Sequence, residues 1–253
     1  MLRTRAIPCL LLRNESLVKT VHFGKLGYIG DPANTCRIFN ELEVDELDFL
    51  DISASKEGRE PNYRVLSDIA NECFMPVSYG GGISSVAIAE RVLKLGFEKV
   101  ILNTFALRTP GLITEMSKAF GSQSVTVSID VKTNFWGKQQ CRGLSGKLNS
   151  KRTPVDWAKE VQDRGAGEIL LTSIDREGTW SGFDIELVRS VTDAVSIPVI
   201  AHGGAGTLQH IGDVVKAGRA SAVALGSMVV YQKQGMGVLV NFPDEKQLKG
   251  VIE

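Results

Sequence analysis

The chain has 253 residues, enough for one large domain of eight β-α units or for two small domains. Hydrophobic residues make up 43% and charged residues 23%, an ordinary globular composition, and 29 basic against 29 acidic side chains exclude nucleic-acid binding through bulk charge. Cys9, Cys36, Cys73 and Cys141 show no C-x-x-C spacing, which argues against a metal site and points to reduced thiols in a cytoplasmic protein. No apolar run reaches the roughly 18 residues of a membrane span, and Arg3, Arg5 and Pro8 interrupt any secretory leader.

Residues 5–12 predict a buried strand, followed by a long loop with an alternating patch at 18–23. Asp31 and Pro32 open a helix, as N-cap and first helical residue, that runs to about Val44. Strand 47–52, a helix from Glu60-Pro61 to about Cys73, and strand 77–79 follow. Residues 87–95 have helical apolar spacing and stop at Gly96. Strand 99–102 and helix 110–120 close the first half.

Strand 125–130 begins the second half. The polar segment 132–150 predicts a small hairpin, being long for a structureless loop. Then come a helix capped by Thr153-Pro154, strand 168–172, helix 185–195, strand 198–201, helix 208–217 and strand 222–225. The eighth helix is poorly marked, because residues 235–243 do not read as helix. Continuous apolar strands alternating with helices predict a parallel sheet covered by helices.

Two glycine-rich turns stand out, at 77–85 (Val-Ser-Tyr-Gly-Gly-Gly-Ile-Ser-Ser) and 199–207 (Val-Ile-Ala-His-Gly-Gly-Ala-Gly-Thr). Each leads a strand into a helix, where free N–H groups meet an anion that glycine allows to come close. Such glycines equally serve to close tight turns. The two turns lie 122 residues apart, and Glu46 with Glu168 and Gly96 with Gly218 keep that offset. Four β-α units given twice predict a (βα)8 TIM barrel, a single domain over 1–253 with half-barrels of about 1–121 and 122–253. Its chemistry would sit at the C-terminal strand ends.

The segments Phe49-Leu50-Asp51-Ile52-Ser53-Ala54-Ser55, Gly80-Gly81-Gly82-Ile83 and Gly203-Gly204-Ala205-Gly206 resemble the cyclase subunit of imidazole glycerol phosphate synthase. So does the long run Gly165-Ala166-Gly167-Glu168-Ile169-Leu170-Leu171-Thr172-Ser173-Ile174-Asp175-Arg176. The resemblance extends to about residue 227. It implies a barrel docked to a glutaminase, with ammonia passing through the barrel to a ribonucleotide that carries two phosphates, and two aspartates doing acid–base work. No cofactor is implied.

By that resemblance Asp130 is the strand-five aspartate. Gly82, Asn103 and Thr104 match one phosphate site. Gly178, Gly204, Gly226 and Ser227 match the other, with Glu177 and His202 in place of an aspartate and a serine. Lys19 matches a lysine of the first loop, and Asp51 and Thr172 lie at cavity-facing strand ends. Arg5, Glu46, Lys99 and Glu168 match a charged ring gating the ammonia passage, a set that would also serve as a structural ion-pair cluster. Glu98 falls on the face where the family binds its glutaminase.

One position departs decisively: Leu11 stands where the family has the strand-one aspartate, and Leu10 and Leu12 flank it. Leucine neither gives nor takes a proton. The substitution, with Val18-Lys19-Thr20-Val21, resembles a branch encoded with surface-polysaccharide genes, the glycosyl amidation-associated proteins. That branch implies ammonia supply to an ATP-dependent sugar amidotransferase that turns an acetamido group into an acetamidino group. No G-x-x-x-x-G-K-[ST] occurs here, so activation by ATP falls to another chain. The alternatives are a histidine-pathway cyclase despite Leu11, and a non-catalytic scaffold that docks a glutaminase.

Overall fold

The computed structural model describes residues 4–252; Arg3, which bears on the reading of the N-terminus, lies outside them. Eight parallel strands, here β1 (Arg5–Arg13), β2 (Leu47–Asp51), β3 (Val77–Gly80), β4 (Lys99–Leu102), β5 (Val125–Thr133), β6 (Glu168–Ser173), β7 (Val199–His202) and β8 (Ala222–Leu225), pair in sequence order. β8 then pairs β1 through Arg5↔Ala222 to Pro8↔Leu225, so the sheet closes. The result is the expected (βα)8 TIM barrel.

The outer layer comprises α1 (Pro32–Glu41), α2 (Tyr63–Glu72), α3 (Val86–Lys94), α4 (Gly111–Phe120), α5 (Pro154–Asp163), α6 (Ile185–Thr192), α7 (Leu208–Lys216) and α8 (Glu245–Ile252). Local chemistry sets their starts. Asp31 accepts from Asn34 N at 2.8 Å with Pro32 behind it, and Thr153 with Pro154 repeats the device at α5. Ser85 and Thr207 cap α3 and α7 in the same way. Strands β3 and β7, and helices α3 and α7, begin and end 122 residues apart, so the half-barrel repeat holds to the residue there.

Three elements differ from expectation. The 18–23 patch belongs to a hairpin, Ser16–Lys19 with Gly27–Gly30, that folds back on β1 through Leu11↔Val18 and Leu12↔Leu17. A separate turn of helix, Ala54–Glu57, precedes α2, which Asn62 caps. The final helix exists but starts late, at Glu245, after a segment in which Tyr231 and Val238 form a bridge. Residues 139–143 pair with β5 as the predicted hairpin, and 148–149 pair in turn with 139–143.

Most of the core lies between strands and helices, where Trp157, Tyr79, Phe39 and Phe49 are the bulkiest fully buried groups. A smaller cluster fills the barrel itself: Ile7, Cys9, Leu50, Ile101, Leu170, Ile200, Ala222 and Ala224. Period-two alternation along β2, β3 and β5 adds Asp48, Ser78, Thr126 and Ser128 to that interior, all buried. The interior is therefore not wholly apolar. Burial first, then the neighbouring Glu46 charge, pushes Asp48 up from 3.8 to about 7.

A folded value above the unfolded one favours the protonated fold. The resulting stability is present below 3.8 and is lost as pH rises through about 7. Asp48→Asn should therefore gain stability on the parent chain as pH rises from 4 to 8, measured by denaturant unfolding at each pH. A difference constant with pH would show that Asp48 stays ionised throughout.

Candidate functional site

The C-terminal mouth of the barrel holds a cavity of about 350 Å³. Leu11, Asp51, Gly80, Gly81, Gly82, Asn103, Thr104, Asp130, Thr172, Glu177 and His202 line it. Sequence-predicted residues from strands far apart in the chain thus meet in one place. Leu11 is 4% exposed, and Leu10 and Leu12 point away into the outer core, so strand one offers the mouth no carboxylate.

Asp130, Thr172 and His202 form a row across β5, β6 and β7, being register partners. Ser128 Oγ donates to Asp130 at 2.9 Å, and Thr172 Oγ1 lies 3.1 Å from His202 Nδ1. Burial raises Asp130 to about 7, against hydrogen bonds from Ser128 and Thr172 that oppose the rise. A carboxyl group balanced near neutrality suits proton transfer in either direction. His202 goes the other way: burial, then the Lys19 charge, lowers it to about 3, so it stays neutral at physiological pH.

Asp51 is spent on structure. Its Oδ1 accepts from Ser53 N, Ser53 Oγ and Ala54 N at 2.9–3.0 Å, and Arg59 Nη2 pairs with Oδ2 at 2.9 Å. The carboxylate braces the loop after β2. Sequence reading missed Arg59, since nothing in its local pattern ties it to Asp51.

The first glycine turn opens onto the cavity. Gly82 has φ +69°, and its N–H meets Ser55 Oγ at 3.2 Å. Asn103 Nδ2 donates to the carbonyls of Ser128 and Arg142, both at 3.1 Å, and Thr104 Oγ1 accepts from Leu144 N at 3.0 Å. These side chains tie the β5 hairpin over the mouth, and leave the first-turn N–H groups of helix Thr104–Arg108 without helical partners.

A side chain at Gly82 would not enter the anion's space, as its sequence position suggests. The Cβ would meet Arg59 O at 2.6 Å and Ala54 Cβ at 3.1 Å. Gly82→Val should still weaken inorganic phosphate binding at least ~10-fold in calorimetry, about 1.4 kcal/mol, by displacing the 54–60 loop. Unchanged affinity would separate this turn from the anion.

The second turn is covered. Gly178, Gly204, Gly226 and Ser227 lie outside the cavity lining. Glu177, 1% exposed, takes Thr20 Oγ1 at 2.9 Å and Phe23 N at 3.0 Å, and its own carbonyl takes His22 N at 3.0 Å. The first loop is thereby pinned down over β6 and β8. Lys19, 4% exposed, reaches Glu177 Oε1 at 3.6 Å.

At the opposite end, Arg5, Glu46, Lys99 and Glu168 come together. Arg5 pairs with both glutamates, and Lys99 Nζ lies 2.6 Å from Glu46 and 2.9 Å from Glu168. The ring alternates plus and minus, and each carboxylate has two cationic partners. Glu98 is exposed on this face, just before β4.

The mouth of the barrel thus carries the row of Asp130, Thr172 and His202 beside a glycine turn, and its floor a closed ring of four charges. Comparison with known proteins identifies the family. A family model described as histidine biosynthesis protein matches residues 5–235. The chain is 48% identical to a Pseudomonas aeruginosa protein named "Putative imidazole glycerol phosphate synthase subunit hisF2", over 98% of this chain and 99% of that one. It is 46% identical to a Leptospira borgpetersenii protein named "Putative imidazole glycerol phosphate synthase subunit HisF", over 96% of each chain. A Vibrio vulnificus protein named "Putative imidazole glycerol phosphate synthase subunit hisF3" is 42% identical, over 100% and 98%. The chain belongs to the cyclase-subunit family of imidazole glycerol phosphate synthase.

Proposed function

We propose that this barrel is the ammonia-conducting synthase subunit of a glutamine-dependent amidation system. A glutaminase docks on the floor around Glu98 and releases ammonia at the ring of Arg5, Glu46, Lys99 and Glu168. Ammonia crosses the barrel interior to a mouth that takes a phosphorylated ligand. The ultimate acceptor is a sugar whose acetamido group becomes acetamidino, in surface-polysaccharide biosynthesis, with an ATP-dependent amidotransferase as the activating partner.

The observation that carries this reading is the pairing of an intact floor ring with Leu11 at the mouth. The ring retains all four charges in a closed, neutral cycle. The mouth lacks one of the two carboxylates that ring closure requires in the family. Supply of ammonia survives that loss, whereas ring closure does not. Exposed apolar side chains on loops beyond the strand ends, Leu26, Phe135, Trp136 and Met236, support an acceptor enzyme on the mouth side.

Lys99→Leu tests the passage. It leaves the ring one positive charge short, so glutamine-dependent amidation of candidate nucleotide sugars should change several-fold while ammonium-dependent amidation holds. An equal fall in both would make the ring structural only. A histidine-pathway cyclase is the second reading, favoured by Asp130, by the family model and by the names of the relatives. Glutaminase stimulation with no product from any acceptor would instead leave a docking scaffold.

A further inference from the structure

Asp48 is a buried carboxyl that neither the mouth nor the floor ring employs. It is 2% exposed and faces the barrel interior. It stands two residues on from Glu46, and so about 7 Å above the ring along β2. Its register partners are Cys9 on β1 and Ser78 on β3. Ser78 pairs in register with Lys99, and its Oγ donates to Glu46 Oε1 at 3.4 Å. Ser78 also hydrogen-bonds Asp48, so one hydroxyl joins this carboxyl to the ring.

The ring's cations are already committed. Arg5 and Lys99 each pair with both Glu46 and Glu168, and among the described residues Asp48 takes part in no ion pair. When ionised it is an interior anion without a counter-charge. Most of the wall around it is apolar, including Ile7, Leu50, Ile101, Leu170 and Ile200. The groups that face it are Glu46, Lys99, Glu168 and the Cys9 thiol, which burial first and then Asp48 push up.

An ammonium ion entering from the floor meets two opposed effects there. The apolar wall disfavours any cation by desolvation, while an ionised Asp48 attracts it. In such a medium a buried ammonium–carboxylate pair carries the desolvation cost of two ions, which the neutral pair of ammonia and carboxylic acid avoids. Asp48, raised to about 7, is present in both forms near neutral pH.

We infer that Asp48 is an interior ammonium site: it captures ammonium behind the floor ring and takes one proton from it, so that neutral ammonia continues to the mouth. The N–H bond breaks as the carboxyl O–H forms, and net charge is conserved. The proton returns by way of Ser78 toward Glu46 and the solvent at the floor. The inference rests on the reading above that ammonia crosses the barrel.

The test is an NMR titration of the parent chain labelled with carbon-13 at its aspartate carboxyls, the Asp48 resonance being the one lost in Asp48→Asn. The probes are ammonium, sodium and tetramethylammonium chlorides at equal ionic strength, the last having no N–H and a bulk that keeps it out of the barrel. Ammonium should lower the Asp48 midpoint by about one pH unit relative to tetramethylammonium, as an opposite charge beside a carboxyl does, and sodium should not. Equal midpoints in ammonium and tetramethylammonium would overturn the inference. So would a sodium shift as large as that of ammonium, which would make this a site for any small cation, or an Asp48 resonance that does not titrate. Neither glutaminase nor acceptor is present in this measurement, so failure of the Asp48 site and failure of glutaminase docking are told apart.

Discussion

Given ammonium and the histidine-pathway ribonucleotide, the purified chain is expected to turn over at least ~10²-fold more slowly than a relative with aspartate at the position of Leu11. That factor corresponds to about 2.7 kcal/mol of barrier. The mouth offers little to replace the missing group. Asp51 is bound by three donors of its own loop and by Arg59, and Glu177 is engaged with Thr20, Phe23 and Lys19. Asp130 alone is placed and balanced for proton transfer, and one group cannot serve as acid and base on two faces of a closing ring at once. His202, held neutral far below its ordinary value, gives no proton at pH 7. Steady-state turnover beside such a relative decides the matter, and near-normal rates would sink the amidation reading.

Breaking the Lys19–Glu177 pair from one side should cost about 3–5 kcal/mol of stability. Both side chains are nearly fully buried, so Glu177→Leu strands an ammonium group without a counter-charge. It also releases Thr20 and Phe23, which hold the first loop. For a chain of this length the loss amounts to a fall in Tm on the order of 10 °C. Lys19→Met with Glu177→Leu together should recover most of it, because a neutral, well-packed pair avoids the desolvation of two ions. Thermal unfolding of the two single variants and the double reads the coupling. Additive losses would mean that the residues act independently and that the loop is held by something else.

The barrel was legible because each of its signals is local and repeated. Asp31-Pro32 and Thr153-Pro154 mark helix starts without reference to the rest of the chain, and the 122-residue offset located β7 and α7 from β3 and α3. The floor ring was legible for the same reason, since Arg5, Glu46, Lys99 and Glu168 stand at or just before the starts of their strands. What escaped depends on contacts between distant segments. Nothing in Lys19 as a loop lysine announces that it folds beneath Glu177, 158 positions away. Arg59 joins Asp51 only through the turn Ala54–Glu57, which has too few apolar residues to signal a helix. Asp48 was visible as a polar residue in Leu47-Asp48-Phe49-Leu50, and the period of two places it inside, but of its neighbours there only Glu46 is local, Ser78, Lys99 and Glu168 coming from other strands. The late start of α8 was hidden because only Leu248 of that helix is buried.

The central claim is that a glutaminase delivers ammonia through the floor of this barrel. Its most direct measurement is the rate of glutamine hydrolysis by the native glutaminase, with and without the purified chain, repeated with Glu98→Arg. The account predicts a stable complex, hydrolysis raised at least ~10-fold by the parent chain, and loss of both with Glu98→Arg, whose side chain is exposed beside the ring and contributes nothing to the core. No complex, or stimulation that Glu98→Arg leaves intact, would contradict it.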